Sequence, residues 1–300
     1  MTRTAYAVAQ AKVNLGLRVL ARDASGYHAI ETLFHRIDLA DEVRIQRTDE
    51  ERTLAVGGPM VPPDGLGAPE SNLAWRAAEA YWQAAGWDGG FAIQLEKRIP
   101  VGGGLGGGSA DAGAVLRACD RLADRPMGQH RLLEIAATLG SDVAFMTSSA
   151  PAAIGWGRGE RLLEVPALSP RPMVLVVPPF GISTAEAYGW LAASRTGPVS
   201  RPTPASARAA QPDWRAMELA SNDFEPVVSA RHHEIAEILR VLRSVGARPA
   251  MLSGSGSTVF GVFDGTQPSD LPRRLATLLP GMQLVWTRTA ARVVPVAVTG

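Results

Sequence analysis

A run of glycines between residues 102 and 108 constrains the fold more than any other feature of this sequence. Six glycines surround a single leucine, Leu105, and Ser109 follows immediately. Each glycine held in one conformation costs roughly 0.5 to 1 kcal/mol relative to alanine, so the run needs a compensating gain. We look for that gain in the flanking segments.

The flanking segments predict a strand before the glycines and a helix after them. From Phe91 to Glu96, apolar and polar residues alternate with a period of two, which is typical of a half-buried strand. The apolar residues from Ala112 to Leu122 have helical spacing, and Ser109 stands where an N-cap is expected. Glycines let the unpaired N–H groups at a helix start approach an anion closely, so the arrangement predicts a phosphate-binding loop.

Three kinds of segment compete for the glycine run. A flexible linker is disfavoured because linkers are not usually enclosed between a strand and a capped helix. A dinucleotide-binding fingerprint is matched by Gly102, Gly104 and Gly107, but the sequence ADRPMGQH stands where the second strand and its acidic residue are required. A Walker A loop needs Gly-Lys-Ser/Thr, and Gly107-Gly108-Ser109 lacks the lysine. A kinase built on this loop would take its lysine from elsewhere.

Composition and charge bound the class of protein. The 300 residues are 46% hydrophobic, enough for one large or two medium domains. Thirty basic and 29 acidic residues give a net charge of +1 without a lysine or arginine block, so no nucleic acid partner is expected. The N-terminus lacks the apolar core of a signal peptide, and the longest apolar run, MVLVVPPF, is too short to cross a bilayer. We expect a cytoplasmic monomer or weak homodimer with no membrane partner.

Strand and helix patterns are mixed along the chain, which predicts an α+β protein of two α/β-layered domains. We place the boundary near residue 168, with domains at 1–168 and 169–300. The single cysteine, Cys119, lies on an apolar helix face and is expected in the core. The predicted elements are a strand at 13–19, a capped helix at 71–82, a helix at 132–139 closed by Gly140, a strand bounded by prolines in PRPMVLVVPPF, a surface loop at 194–213, a helix at 235–245 ending at Gly246, and two short strands in MLSGSGSTVFGVF.

Two ionisable residues outside the glycine run are candidates for chemistry near a phosphate. Lys12 lies on the first predicted strand among apolar neighbours, where a lysine is either a partnered buried charge or a functional one. Asp142 follows a predicted helix end and a glycine, so its carboxylate can face a cleft and accept a proton from an alcohol. A purely structural role remains the competing interpretation for each residue.

Four stretches resemble, in order and spacing, the GHMP small-molecule kinases, the superfamily of galactokinase, homoserine kinase and mevalonate kinase. They are AKVNLGLRVLARDASGYHAIETLFHRIDLAD, KRIPVGGGLGGGSADAGAVL, LGSDVAF and LSGSGSTVFGVF. The resemblance spans most of the chain. It implies a GHMP kinase fold, with an N-terminal ATP-binding domain of the ribosomal protein S5 domain 2-like type and a C-terminal ferredoxin-like substrate domain. The active site would lie between them.

The resemblance also implies roles for individual residues. Asp142 would act as the general base on the acceptor hydroxyl, while Lys12 would orient that hydroxyl and stabilise its developing charge. ATP is the implied co-substrate, with Mg²⁺, whose protein ligands remain unassigned. The residues implied to bind ATP are Gly102, Gly103, Gly104, Leu105, Gly106, Gly107, Gly108, Ser109, Asn72, Lys97 and Val101.

The turn Gly26-Tyr27-His28 and the doubled glycine triplet resemble family members that act on a cytidine diphosphate ester of methylerythritol. The resemblance implies ATP-dependent phosphorylation of its 2-hydroxyl, a step of non-mevalonate isoprenoid synthesis. Tyr27 and Tyr188 would face the cytosine ring, His28 would read its edge, and Asn14 would contact the methylerythritol. Without the resemblance, a turn aromatic, a solvated histidine and a core tyrosine are the ordinary interpretations.

Two alternatives stay open at this point. One is another kinase of the superfamily, acting on mevalonate, homoserine or a sugar. The other is a non-catalytic, nucleotide-sensing relative, which the retention of Lys12 and Asp142 disfavours because sensing needs no base. The sequence also departs from the family pattern, with Ala144 where proline is usual and Ala150 where glycine is common. We expect both departures to loosen the loop that carries Asp142.

Overall fold

The computed structural model of the chain describes residues 3–22, 28–195, 212–218, 220–265 and 267–300. Tyr27 and most of the loop predicted at 194–213 lie outside the described residues. No helix within the described ranges is long and apolar enough to cross a membrane.

The first sheet is built on two long antiparallel strands, β1 (Thr4–Arg22) and β2 (His28–Thr48). Odd-numbered residues of β1 from Ala5 to Val19 are buried apolar side chains, which accounts for the alternation seen in the sequence. One half of β2 pairs with β4 and the other half pairs with β5. The remaining strands are β3 (Arg52–Gly57), β4 (Gly90–Glu96), β5 (Ala152–Gly157) and β6 (Arg161–Val165).

The helices of this part enclose the first core. Helix α2 contacts both long strands, and Cys119 on its inner face is fully buried, as predicted. Gly113 allows α2 to approach α4 closely, because a Cβ there would lie 2.5 Å from the Met146 carbonyl oxygen. These helices are α1 (Leu73–Ala85), α2 (Gly107–Leu122), α3 (Gly128–Leu139) and α4 (Val143–Thr147).

The second sheet confirms the ferredoxin-like prediction. Its antiparallel strands have the spatial order β10-β7-β9-β8, with helices between β7 and β8 and between β9 and β10. This is the split β-α-β arrangement of that fold. The elements are β7 (Pro172–Val177), α5 (Thr184–Ser194), α6 (Trp214–Met217), α7 (Phe224–Ser229), α8 (His233–Ser244), β8 (Ala250–Leu252), β9 (Val259–Val262), α9 (Leu271–Leu278) and β10 (Gln283–Arg288).

The two sheets are joined at several points. The change from one sheet to the other falls between Val165 and Pro172. However, the last strand, β11 (Ala297–Thr299), returns to pair with β1 of the first sheet. Met173 and Phe260 of the second sheet also pack into the first hydrophobic core. The site between the sheets is therefore held by continuous packing.

Candidate active site

The glycine run forms the turn between β4 and α2. Gly102, Gly104 and Gly106 have φ values of 76°, 74° and 71°, a left-handed conformation that favours glycine. The prediction that Ser109 caps α2 is wrong, because the helix already begins at Gly107 and Gly106 takes the N-cap position. Gly106 has no side chain to bond the first turn, so the leading N–H groups of α2 are available to an anion.

A cavity of about 360 Å³ lies beside this loop. Leu66, Leu73 and Ile99 give it an apolar wall, and the glycine backbone gives it polar groups. An apolar wall next to exposed backbone donors is suited to a nucleotide, with its base on the wall and its phosphates at the helix start. The sequence-predicted nucleotide residues that line it are Asn72, Lys97, Val101, Gly102, Gly103, Gly104, Leu105, Gly106, Gly107, Gly108 and Ser109.

Two of these residues differ in how free their side chains are. The Asn72 side-chain oxygen accepts a hydrogen bond from the Ala74 N–H at 2.9 Å, which makes Asn72 the N-cap of α1. Val101 is 50% exposed at the rim of the cavity. Asn72 therefore has a structural role beside its place in the cavity wall, while Val101 is open to a ligand.

Lys97 belongs to a buried charge cluster that sequence reasoning missed. Its ammonium donates to the carboxylates of Asp41 and Asp111, and none of the three side chains is more than 3% exposed. Burial lowers the pKa of Lys97, but the two carboxylates together outweigh this and raise it above its usual value. Burial raises the pKa of Asp111 to about 7 in spite of Lys97. Asp41 also accepts the backbone N–H groups of Arg98 and Ile99, so the cluster anchors the chain that enters the glycine loop.

Lys12 and Asp142 meet at the edge of the glycine loop. The Lys12 ammonium lies 3.3 Å from Asp142 Oδ2 and donates to the Gly104 carbonyl oxygen at 3.0 Å. The side chain of Lys12 is 4% exposed, whereas that of Asp142 is 28% exposed at the start of α4. A buried cation thus lies beside a partly exposed carboxylate that a substrate can reach.

Asn14 holds Lys12 in place. Its side-chain oxygen accepts from the Lys12 ammonium at 2.7 Å, and its amide donates to Thr32 Oγ1 at 2.8 Å. The Thr32 hydroxyl in turn donates to the Gly16 carbonyl oxygen at 2.7 Å. This chain of hydrogen bonds gives Asn14 a positioning role in addition to the substrate contact that the resemblance implied.

His28 and Tyr188 form an aromatic pair. The rings of His28 and Tyr188 stack with centroids 5.0 Å apart, and Tyr188 packs edge-on against Phe224. Burial raises the pKa of Tyr188, and the negative charge of Asp142 adds to the effect. Tyr188 therefore lies within the electrostatic range of Asp142.

The turn between β8 and β9 closes the site from the second sheet. Ser253 Oγ donates to the Gly104 carbonyl oxygen at 3.0 Å, and the Thr258 N–H donates to the Gly103 carbonyl oxygen at 3.3 Å. This turn is the LSGSGST part of the fourth stretch quoted above, for which sequence reasoning assigned no residue role. Its contacts show that the second sheet fixes the shape of the glycine loop.

The segment that follows Asp142 is held by a buried arginine. Arg36 Nη2 donates to the carbonyl oxygen of Phe145 at 2.8 Å, and Arg36 Nε donates to that of Ala150 at 3.2 Å. Ala144 and Ala150 are both buried. The loosening expected from these two alanines is thus opposed by contacts that the sequence did not indicate.

Two family models match this chain. The family model for the GHMP kinases N terminal domain matches residues 72–155, and the model for the GHMP kinases C terminal domain matches residues 209–280. A curated protein of Geobacter sp. is 41% identical over 260 residues, which cover 86% of this chain and 89% of that protein. The chain therefore belongs to the GHMP kinases, a family of small-molecule kinases.

Two curated relatives that are about 40% identical to this chain carry the same name. The Geobacter protein is a 4-diphosphocytidyl-2-C-methyl-D-erythritol kinase, and so is a protein of Moorella thermoacetica that is 40% identical over 94% of this chain and 97% of its own length. A crystal structure of 4-(cytidine 5'-diphospho)-2C-methyl-D-erythritol kinase has a TM-score of 0.74 and 33% identity, and the match covers 95% of this chain and 99% of that one.

Proposed function

We propose that this protein transfers the γ-phosphoryl group of ATP to the 2-hydroxyl of 4-diphosphocytidyl-2-C-methyl-D-erythritol. The observation that carries the proposal is the position of Lys12, which contacts both Asp142 and the Gly104 carbonyl of the glycine loop. One ammonium thereby links a candidate base to a candidate phosphate site. The choice of substrate is supported by the names of relatives that share about 40% identity over most of the chain.

The catalytic step rests on Asp142 and Lys12. Asp142 accepts the proton of the 2-hydroxyl as the hydroxyl oxygen attacks the γ-phosphorus. The bond between the γ-phosphorus and the bridging oxygen breaks, and ADP leaves. Lys12 orients that oxygen and stabilises the negative charge that develops on it, and its burial makes this interaction stronger than it would be in water. Phosphoryl transfer depends mainly on positioning and electrostatics, so this pair and the glycine loop supply what the protein must contribute.

The nucleotide side is served by backbone groups. The phosphates would lie at the start of α2, where unpaired N–H groups and the helix dipole favour negative charge. This arrangement replaces the lysine of a Walker A loop. The adenine would lie on the apolar wall near Leu66 and Leu73, beside Asn72 and Val101.

A magnesium ion fits this site as a companion of the nucleotide. Among the described residues, no group of three or more His, Cys, Asp and Glu side chains could hold a metal by itself. Mg²⁺ in kinases is bound largely by substrate phosphates and water, with one or two protein oxygens. The Ser109 hydroxyl at the cavity would supply such an oxygen. When bound, the ion neutralises phosphate charge.

The acceptor side would be read by aromatic rings. Tyr188 and His28, with Tyr27 beyond the described residues, would hold the cytosine ring. Base stacking on aromatic side chains contributes roughly 1 to 3 kcal/mol per base. The electrostatic interaction of Tyr188 with Asp142 supports placing the cytidyl group on this side of the base.

The experiment is ADP release from Mg-ATP by the purified protein, with four acceptors assayed in parallel. We expect turnover with the cytidyl methylerythritol compound and none with mevalonate, homoserine or galactose. Turnover with one of the other acceptors alone would keep the kinase assignment and refute the substrate. ATP binding without turnover on any acceptor would favour the nucleotide-sensing alternative.

Partners and location are further parts of the proposal. A net charge of +1 without a basic block supports a protein that binds no nucleic acid. We propose a cytoplasmic monomer or weak homodimer. Light scattering coupled to size exclusion checks the oligomeric state, since a stable higher assembly at micromolar concentration would contradict it.

A further inference from the structure

Arg36 is a fully buried residue on β2, with 0% of its surface exposed. Its guanidinium donates to the carbonyl oxygens of Phe145, Ser148 and Ala150, at 2.8, 3.1 and 3.2 Å. Among the described residues, no carboxylate forms an ion pair with it. Burial, reinforced by repulsion from Arg117, lowers the pKa of Arg36 well below its usual value. A cation held in the core at this cost needs a function that an apolar side chain would not perform.

The acceptors of Arg36 belong to the end of α4 and the chain just beyond it. Helix α4 has five residues, and Asp142 is the residue that precedes its first turn. A helix this short is not stable on its own, so its orientation depends on tertiary contacts. The positive guanidinium also lies at the carboxyl end of the helix, where the helix dipole favours a cation. The position of Asp142 is thus tied to Arg36 through one turn of helix.

The strand pairing connects Arg36 to the other catalytic residue. Lys12 on β1 is directly opposite Arg36 on β2, so both side chains project from the same face of the sheet toward α4. Lys12 reaches Asp142 before the first turn of the helix, and Arg36 reaches the carbonyls at its end. Lys12 and Arg36, which are paired across the two strands, therefore contact the two ends of α4. Together these contacts set the distance between the Lys12 ammonium and the Asp142 carboxylate.

Arg36 also has a link to the glycine loop. Its Nη1 lies 3.9 Å from the sulfur of Met146, in the middle of α4. A Cβ built on Gly106 would be 2.8 Å from the terminal methyl of Met146, so this side chain lies directly under the loop.

We propose that Arg36 is a positioning residue for phosphoryl transfer, which anchors the end of α4 so that Asp142 stays in contact with Lys12. The inference rests on the proposed function only in the identity of Asp142 as the base. Arg36 is fully buried and does not line the nucleotide cavity, so its loss is expected to impair the chemical step and to leave ATP binding intact.

The first test compares R36M with a matched control, R117M. Arg117 is a second, partly buried guanidinium that bonds to carbonyl oxygens, those of Val8 and Gly113, and neither of these acceptors belongs to α4. We expect R36M to lower kcat about 100-fold, as misplacement of a catalytic group by about 1 Å can do. The KM for ATP should stay within about threefold of wild type, and R117M should retain kcat within about threefold. Equal losses in the two variants would refute the inference.

The second test separates positioning from general destabilisation by combining R36M with D142N. If Arg36 acts through Asp142, R36M should lower kcat less than about threefold further in the D142N background. A purely structural role would lower kcat by the same factor in both backgrounds, and that result would overturn the proposal. Where R36M fails to fold, R36K carries the same cycle, because lysine keeps the charge but cannot reach all three carbonyls.

A crystal structure of the variant provides a readout that does not depend on activity. We expect the distance between Lys12 Nζ and Asp142 Oδ2 to increase from 3.3 Å to beyond the ion-pair limit of about 4 Å. An unchanged distance in R36M or R36K would contradict the inference whatever the substrate proves to be. Failure of the wild-type protein to phosphorylate the cytidyl compound would refute the proposed function and leave this structural result standing.

Discussion

The ion pair between Lys12 and Asp142 is the residue-scale feature on which the proposed chemistry depends. Replacing Asp142 by asparagine keeps the size of the side chain but removes its ability to take a proton. We expect D142N to lower kcat by about 10² to 10⁴, the usual contribution of a general base, while ATP binding is retained. Steady-state kinetics and nucleotide titration check this. The control is D124N, whose carboxylate is 89% exposed and pairs with Arg3. A D142N enzyme with wild-type turnover would remove Asp142 as the base.

Tyr188 gives a residue-scale test of the acceptor. We expect Y188A to raise the KM for the cytidyl acceptor roughly tenfold to a hundredfold, because it removes a stacking surface worth about 1 to 3 kcal/mol. The KM for ATP should not change, since Tyr188 does not line the nucleotide cavity. Y188F is the matched control, because it keeps the ring and should change the acceptor KM less than about threefold. Equal effects on both substrates would contradict a cytidine contact.

Sequence reasoning located residues at this scale unevenly. Lys12 is a candidate because it lies among apolar strand neighbours, and Asp142 because it follows a predicted helix end; the resemblance adds a role for each. Asp41 and Arg36 were missed, although both lie in the stretch LFHRIDLAD, where charged residues interrupt an apolar pattern. Their partners come from other elements: Lys97 for Asp41, and the end of α4 for Arg36. A pattern within one strand shows that a charge is present but does not show what pairs with it.

At the scale of elements, the glycine loop and the β8–β9 turn form one unit. Gly104 touches this turn so closely that a Cβ would lie 2.2 Å from the Ser253 carbonyl oxygen, whereas a Cβ on Gly102 would meet no atom within 4 Å. Both residues have a left-handed φ, so alanine is strained at each by about 1 to 2 kcal/mol. We expect G104A to lower kcat/KM for ATP at least about tenfold more than G102A, because only G104A separates the two loops.

G102A is the control for backbone strain in G104A, because both glycines have a left-handed φ. Thermal unfolding should show a larger loss of stability for G104A than for G102A, because the alanine methyl displaces backbone as well as straining φ. Equal kinetic defects in the two variants would show that loop conformation alone matters. They would leave no role for the contact with Ser253.

The prediction of elements was better than the prediction of their ends. The helix at 132–139 ends at Gly140 as predicted, and the strands in MLSGSGSTVFGVF occur as β8 and β9. The start of α2 was misjudged because Ser109 is a strong N-cap residue, yet Gly107 and Gly108 already have helical conformation. Close packing favours glycine at position 107, since a Cβ there would lie 3.1 Å from Ile99. Such a tertiary constraint is not visible in local propensity.

At the scale of the whole molecule, the two sheets are connected through a buried histidine. His35 on β2 is fully buried, and its Nε2 accepts the N–H of Leu168 at 3.2 Å, in the segment between the sheets. Nδ1 therefore carries the proton and donates to the Arg36 carbonyl oxygen at 2.8 Å. Burial lowers the pKa of His35, although this carbonyl partly opposes the effect. The neutral ring is needed at the junction, because a protonated Nε2 can no longer accept from Leu168.

This geometry predicts a pH dependence of folding stability. The reference pKa of the unfolded histidine is 6.5, and the folded value lies below it, so the stabilising contribution is complete above pH 6.5. As the pH falls below 6.5, the unfolded chain binds the proton first, and stability is lost until the lowered folded pKa is passed. Asp111, whose pKa is raised to about 7, acts in the opposite direction, since its ionisation on rising pH destabilises the folded state. The wild-type profile alone therefore does not isolate His35.

The comparison of wild type with H35Q isolates it, because glutamine can accept from Leu168 without titrating, while Asp111 is common to both proteins. We expect the difference in unfolding free energy between the two to change by up to about 1.4 kcal/mol per pH unit below pH 6.5, with wild type losing more as the pH falls. Urea unfolding at several pH values between 8 and 5 measures it. Parallel profiles would mean that the pKa of His35 is the same in the folded and unfolded states. The pH dependence would then give no support to a role of His35 in joining the two sheets, which would leave apolar packing and the return of β11.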